Sequence, residues 1–179
     1  MAQENIQKFL NYLKSRYAHL FDIYEEGSLD DIPLAFTAVH KRRDERYMLS
    51  KKFKIYGFEN QEIAFTTVHE EALKVDDIDR FIKSMENNFK AYMKEHEEHM
   101  STIIYGIIVT NETVDQTIAK KVRKYRKVKF LKFGLHGWVE LYLIVVNLKD
   151  NDLWVHPKGK PLVKIIENYF NMESAVKCH

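Results

Sequence analysis

Apolar residues at helical spacing open the chain. Ile6, Phe9, Leu10, Leu13, Tyr17 and Leu20 fall on one face, which predicts a first helix of about four turns. Residues 27–33, from Gly27 to Pro33, break that pattern. Strands are predicted next over residues 34–41, 46–56 and 62–69, where β-branched and aromatic residues alternate with polar ones. Arg43-Asp44-Glu45 and Phe58-Glu59-Asn60-Gln61 read as hairpin turns between them, and Tyr24 as the end of an earlier strand. The result is a meander with one face toward a core. Residues 34–40 (LAFTAVH) and 63–69 (IAFTTVH) echo each other, but their flanks do not match, so the echo reads as two similar strands rather than a duplicated unit.

The second half alternates helix and strand. Asp76 is the expected cap of a helix whose apolar stripe is Ile78, Phe81, Ile82, Met85, Phe89, Tyr92 and Met93. Residues 102–109 are apolar on both faces, as in a central covered strand. Thr113-Val114-Asp115-Gln116 fits a capping box that opens a helix with Val114, Ile118, Val122 and Tyr125 inward. A strand over residues 128–133, a turn at Gly134-Leu135-His136-Gly137 and the longest apolar strand, residues 138–148, follow. Asp150-Asn151-Asp152 reads as another hairpin turn. Pro161 suits the first turn of a last helix that buries Leu162, Ile165, Ile166, Tyr169 and Phe170. The pattern predicts one domain of α/β to α+β class, a mixed β-sheet with flanking helices. It divides into an N-terminal helix (1–20), a β-meander (21–75), an α/β half (76–172) and a disordered tail (173–179).

Composition narrows the function classes. With 179 residues, 45% hydrophobic and 30% charged, the chain is long enough for one core that buries roughly two-thirds of its unfolded surface. Net charge is only +2. A lone cysteine, Cys178, excludes an internal disulfide framework and a thiolate-rich zinc site. The polar start Met-Ala-Gln-Glu-Asn does not read as a secretory signal, and no apolar stretch approaches the ~20 residues that span a bilayer. A cytoplasmic protein without membrane contact is expected.

The local text from Val68-His69-Glu70-Glu71 through Asp79-Arg80-Phe81 resembles the strand-to-helix passage after the Glu-x-Lys signature of restriction-endonuclease-like nucleases. Gly106-Ile107-Ile108-Val109-Thr110-Asn111-Glu112 is similar to the strand that follows there. The close resemblance covers about 65 residues, and the element order α-β-β-β-α-β-α-β-β-α extends it. The chain also looks like an uncharacterised prokaryotic domain family. The resemblance implies a magnesium site built from an acid on one strand and Glu-x-Lys on the next. Here the Glu-x-Lys positions align with Thr67 and His69, followed by Glu70, and the preceding strand offers Ser50, Lys51, Lys52 and Lys54. A hydroxyl is a poor replacement for a hard anionic oxygen, and cations repel a metal. The implication is a degenerate site, unless a shifted register recruits Glu62, Glu70 or Glu71.

Other constellations leave alternatives open. His96 and His99 share a helix face, so they are weak metal candidates, although histidines at a helix C-terminus also suit its dipole. Residues 120–132 hold eight cations and no acid: Lys120, Lys121, Arg123, Lys124, Arg126, Lys127, Lys129 and Lys132. A second cluster comprises Lys41, Arg42, Arg43, Arg46, Lys51, Lys52 and Lys54. These runs could contact nucleic-acid phosphates or be a face balanced by the acidic helix, where residues 70–98 hold nine acids against five bases. The opposite patches could also meet between subunits. Trp138, Glu140, Tyr142 and Ile144 share a strand face, which reads as an exposed edge or an interface with Trp138 and Tyr142 as anchors of a homodimer. No phosphate-binding glycine loop or nucleophile setting appears, and neither cofactor nor small-molecule ligand is expected. The leading expectation is a non-catalytic binding or interaction module. The alternatives are a nucleic-acid binder and a metal-dependent hydrolase with a relocated site.

Overall fold

The computed structural model describes residues 1–40, 61–92, 101–131 and 137–177. Helix α1 (Ala2–Tyr17) buries Ile6, Phe9, Leu10, Leu13 and Tyr17. Leu20, placed on that stripe by spacing, lies beyond the helix end and is exposed. Strand β1 (Phe21–Tyr24) follows. The break at 27–33 then folds as a small hairpin of β2 (Ser28–Leu29) and β3 (Ile32–Pro33), which buries Leu29 completely. Asp30 turns it with φ 53°, a left-handed conformation that aspartate tolerates better than most residues. Strands β4 (Phe36–His40) and β5 (Gln61–His69) come next. The predicted strand 46–56, the turns at 43–45 and 58–60, the basic cluster 41–54, Met93, His96, His99, Lys132, residues 133–136 and Cys178 lie outside the described residues.

Helix α2 (Val75–Asn88) is capped two residues earlier than expected. Lys74 is the N-cap, and the Asp77 carboxylate accepts from its backbone N–H at 2.9 Å, while Asp76 sits inside the first turn. A 3₁₀ turn (Phe89–Tyr92) extends the helix. After β6 (Thr102–Thr110), helix α3 (Gln116–Lys124) is capped by Asp115, whose side chain accepts from the Thr117 N–H; Thr113 is not the cap. Strands β7 (Arg126–Phe130), β8 (Trp138–Asn147) and β9 (Asp152–Val155) follow, with Asn151 at φ 57° in the hairpin turn. Pro161 lies in a 3₁₀ segment (Pro157–Val163) before α4 (Lys164–Lys177). Val163, Ile166, Tyr169 and Phe170 are buried there, and Leu162 and Ile165 only half so. Residues 173–177, assigned to a tail by sequence, continue α4.

The main sheet has the order β1-β4-β5-β6-β8-β7, with β9 also on β8. β1, β4 and β5 pair antiparallel, whereas β5, β6 and β8 run parallel. β6 occupies one edge of β8 along its whole length. β7 and β9 therefore share the other edge, β7 against residues 138–142 and β9 against 144–147. Helices α1 and α4 cover one face, with Phe9, Leu13, Ile166 and Phe170 packed on Ala64, Ile107 and Ile144. Helices α2 and α3 cover the other, with Ile78, Phe81, Ile118 and Val122 packed on Ile63, Ile104 and Leu143. This is a single mixed α+β domain in three layers. Both faces are covered, so the meander does not present only one face to a core, and β6 and β8 are apolar throughout for the same reason. The echo between the segments at 34–40 and 63–69 dissolves here. Phe36 points into the α1/α4 layer and Phe65 into the α2/α3 layer.

Candidate functional site

Thr67 and His69 point by alternation toward α2, at the C-terminal end of β5. The Thr67 hydroxyl is buried and donates to the Pro33 carbonyl at 2.8 Å. His69 Nε2 lies 3.5 Å from Asp77 Oδ2, the oxygen that caps α2. Glu70 is exposed. The β2–β3 hairpin lies against this strand end and is tied to α2 twice more. Arg80 pairs with Asp31, and Asn88 donates to Asp30 at 2.8 Å while also donating to the Ser84 carbonyl. Asp30 is held below the usual aspartate range by hydrogen bonds from Ser84 and Asn88.

What remains is a cleft of about 160 Å³ bounded by Pro33, Thr67, His69, Asp77, Arg80 and Ile108. That is below the roughly 300–1,000 Å³ of ordinary small-molecule sites. The chain steps from β5 to β6 to β8 in one direction, with α2 and α3 on one face. Among the described strands, the parallel run β5-β6-β8 shows no reversal of order that would open a crevice at the strand ends. Among the described residues, no three His, Cys, Asp or Glu side chains converge as metal ligands.

Glu140 overturns the exposed-edge expectation. Strand β8 is paired on both sides, and the Glu140 carboxylate accepts from Arg126 Nε (3.0 Å), Tyr142 Oη (2.6 Å) and Trp138 Nε1 (3.3 Å), with Arg126 Nη2 at 2.9 Å. Burial pushes this carboxyl upward, but the hydrogen bonds from Tyr142 and Arg126 and the arginine charge outweigh it and hold the group below the usual glutamate range. A carboxylate saturated with donors and kept ionised anchors β7 to β8; it is not poised to take up or release a proton near neutrality. Tyr142 is buried inside the protein, under the 3₁₀ segment that carries Gly159, and so is not an interface anchor. Trp138 is half-buried and stands across from Phe130, which is 70% exposed.

The basic run divides into two sets. Lys121 pairs with Asp79, Arg126 with Glu140, and Lys127 with Glu86, which Lys129 also approaches at 3.8 Å. Glu86 in turn accepts from Tyr125, whose hydroxyl burial and Glu86 together push strongly upward in pKa. Lys120, Arg123 and Lys124 make no ion pair among the described residues. Of the six candidates, Lys121 and Lys127 meet acids of α2, some 40 residues earlier, as a face balanced by the acidic helix would, and Arg126 meets Glu140 of β8. An open groove of about 550 Å³ between α2 and α3, which no local motif announces, is lined by Lys120, Lys121, Lys124, Thr117, Ile82 and Tyr125, together with Asp79.

A second buried polar group lies on the opposite face of the sheet. The hydroxyls of Tyr105 and Tyr17 are 3.3 Å apart, and burial pushes Tyr17 up to about 12 and Tyr105 well above its usual value. Glu62 is also raised by burial, a shift that the neighbouring His40 partly offsets.

The family model described as "Domain of unknown function (DUF8052)" matches residues 5–168. No curated protein and no solved structure matches the chain. No helix among the described residues is long and apolar enough to cross a membrane.

Proposed function

The chain belongs to the DUF8052 family, and we propose that it is a non-catalytic binding module on a scaffold similar to the restriction-endonuclease-like nucleases. The observation that carries this reading is the state of the β5 end. Where that resemblance implies a metal-binding carboxylate, a threonine is buried and its hydroxyl is committed to Pro33. The neighbouring His69 faces a carboxylate already used to cap α2. A divalent cation there would have to displace the β2–β3 hairpin and strip Asp77 from its cap, and among the described residues no three His, Cys, Asp or Glu side chains converge to hold it. The test is an assay of the purified protein on single- and double-stranded nucleic acid and on an activated phosphodiester, with magnesium or manganese. No turnover above buffer is expected. Metal-dependent turnover that disappears on Glu70→Gln or Glu71→Gln substitution contradicts the reading.

Self-association is a second reading, favoured by Phe130 and its cross-strand partner Trp138. They are opposite each other in the β7–β8 register, and exposed or half-exposed aromatic residues are enriched at interface centres. Light scattering of the wild type and of Phe130→Asp tests it: a dimer that the substitution splits supports it, and a wild-type monomer removes it. Nucleic-acid binding through residues 120–127 has less support, because three of its six cations are neutralised within the chain.

A further inference from the structure

The groove between α2 and α3 combines two chemistries. Its rim carries Lys120, Lys121 and Lys124, which succeed one another along α3 beside the Thr117 hydroxyl. Its floor is apolar, made by half-buried Ile82 and Tyr125. Asp79 is the acid in the lining, and it is engaged by Lys121. Lys120 and Lys124 are exposed, without an ion pair among the described residues, so the rim holds a local excess of positive charge that the fold leaves uncompensated.

We infer that this groove binds a small phosphorylated ligand that carries a planar ring, in the size class of a nucleotide. The volume, about 550 Å³, falls within the range of small-molecule sites. The ring would lie on Ile82 and the Tyr125 face, whose hydroxyl is fixed by Glu86 at 3.1 Å, and the phosphate would sit between Lys120 and Lys124. The same geometry argues against a nucleic-acid strand. The affinity of a polyanion grows with the number of phosphates neutralised, and the groove lining offers two cations without an ion pair among the described residues, Lys120 and Lys124.

This inference rests on the binding-module reading and names its ligand class. Its test is calorimetry of the full chain in EDTA, which is blind to metal-dependent hydrolysis and so fails separately from that reading. The probes are adenosine and guanosine monophosphate and diphosphate, inorganic phosphate, and a single-stranded oligoribonucleotide. The account predicts saturable nucleotide binding that is tighter than phosphate alone and weakened at least about ten-fold by the double substitution Lys120→Ala/Lys124→Ala, since each removes a charge-assisted contact. The substitutions are at exposed positions, and Lys160→Ala, another exposed site, serves as the control that leaves binding unchanged. Any of four results overturns it: no binding of any nucleotide, binding indifferent to the double substitution, phosphate bound as tightly as nucleotide, or an oligonucleotide bound more tightly with a salt dependence steeper than two phosphates account for.

Discussion

Gly106 lies in the middle of β6 beneath α2, and alanine there tests the packing of the α2/α3 layer. A Cβ at this position would stand 2.3 Å from Phe81 Cε1, 3.0 Å from Cζ and 3.2 Å from Cδ1. Ordinary contact begins near 3.4 Å, so the ring edge must retreat by about 3.4 − 2.3 = 1.1 Å. Phe81 is 2% exposed and belongs to the same packed layer as Ile78, Met85 and Ile108, and the open space beside it is the narrow cleft of about 160 Å³ at the end of β5, so the ring cannot retreat freely. Either α2 lifts from the sheet or the ring leaves its rotamer. Overpacking of this kind costs about 1–3 kcal/mol. For a chain of this length each kcal/mol lowers Tm by roughly 2–4 °C. Urea or thermal unfolding followed by circular dichroism measures it, and Gly106→Ala paired with Phe81→Leu recovers part of the loss because the smaller side chain vacates the clash. A Gly106→Ala protein within about 0.5 kcal/mol of wild type, the range of neutral surface substitutions, refutes the close approach of α2 to β6.

Two further predictions concern the charged groups of the sheet. Burial raises the Glu62 carboxyl above its usual value near 4.5, so its contribution to stability is fully present below that value and is lost as pH rises through the folded-state value. Glu62→Gln is therefore expected to raise Tm at neutral pH and to lose that advantage in acid; equal effects at both pH values contradict this. Arg126→Ala leaves the half-buried Glu140 without its cation and is expected to cost about 1.5–3 kcal/mol, the worth of hydrogen bonds to a charged group. Because the Glu140 carboxyl is held low, its contribution is present above the usual glutamate range and lost as pH falls through the folded-state value. Loss of the arginine raises that value and brings acid unfolding on at a higher pH, and an unchanged acid transition would count against the network.

Much of the scaffold is legible in the chain because it is written as periodicity. The stripe Ile78, Phe81, Met85, Phe89 belongs to α2, and the uninterrupted apolar runs of β6 and β8 record strands covered on both faces. Caps are read less well. Asp76 and Thr113 are good capping types, but Asp77 and Asp115 do the work, because the choice depends on where the backbone leaves the extended region, one or two residues away. The alternation of Trp138, Glu140 and Tyr142 correctly puts them on one face, yet whether that face is an open edge depends on β7 and β9 sharing one side of β8, a tertiary fact. The balance of the basic run by the acidic helix could be read as one alternative, but its particular pairs, Lys121 with Asp79 and Lys127 with Glu86, and the pairing of Arg126 with Glu140 of β8, are tertiary facts as well. The β2–β3 hairpin, which closes the end of β5, is too short to show a period at all.

The most direct test of the central claim is manganese titration followed by NMR, with paramagnetic broadening as the readout. If the end of β5 is closed as described, the resonances of Thr67, His69 and Asp77 broaden no more than those of other residues of similar exposure. Selective, saturable broadening at these three residues would mean that the site still holds a divalent cation and would contradict the account.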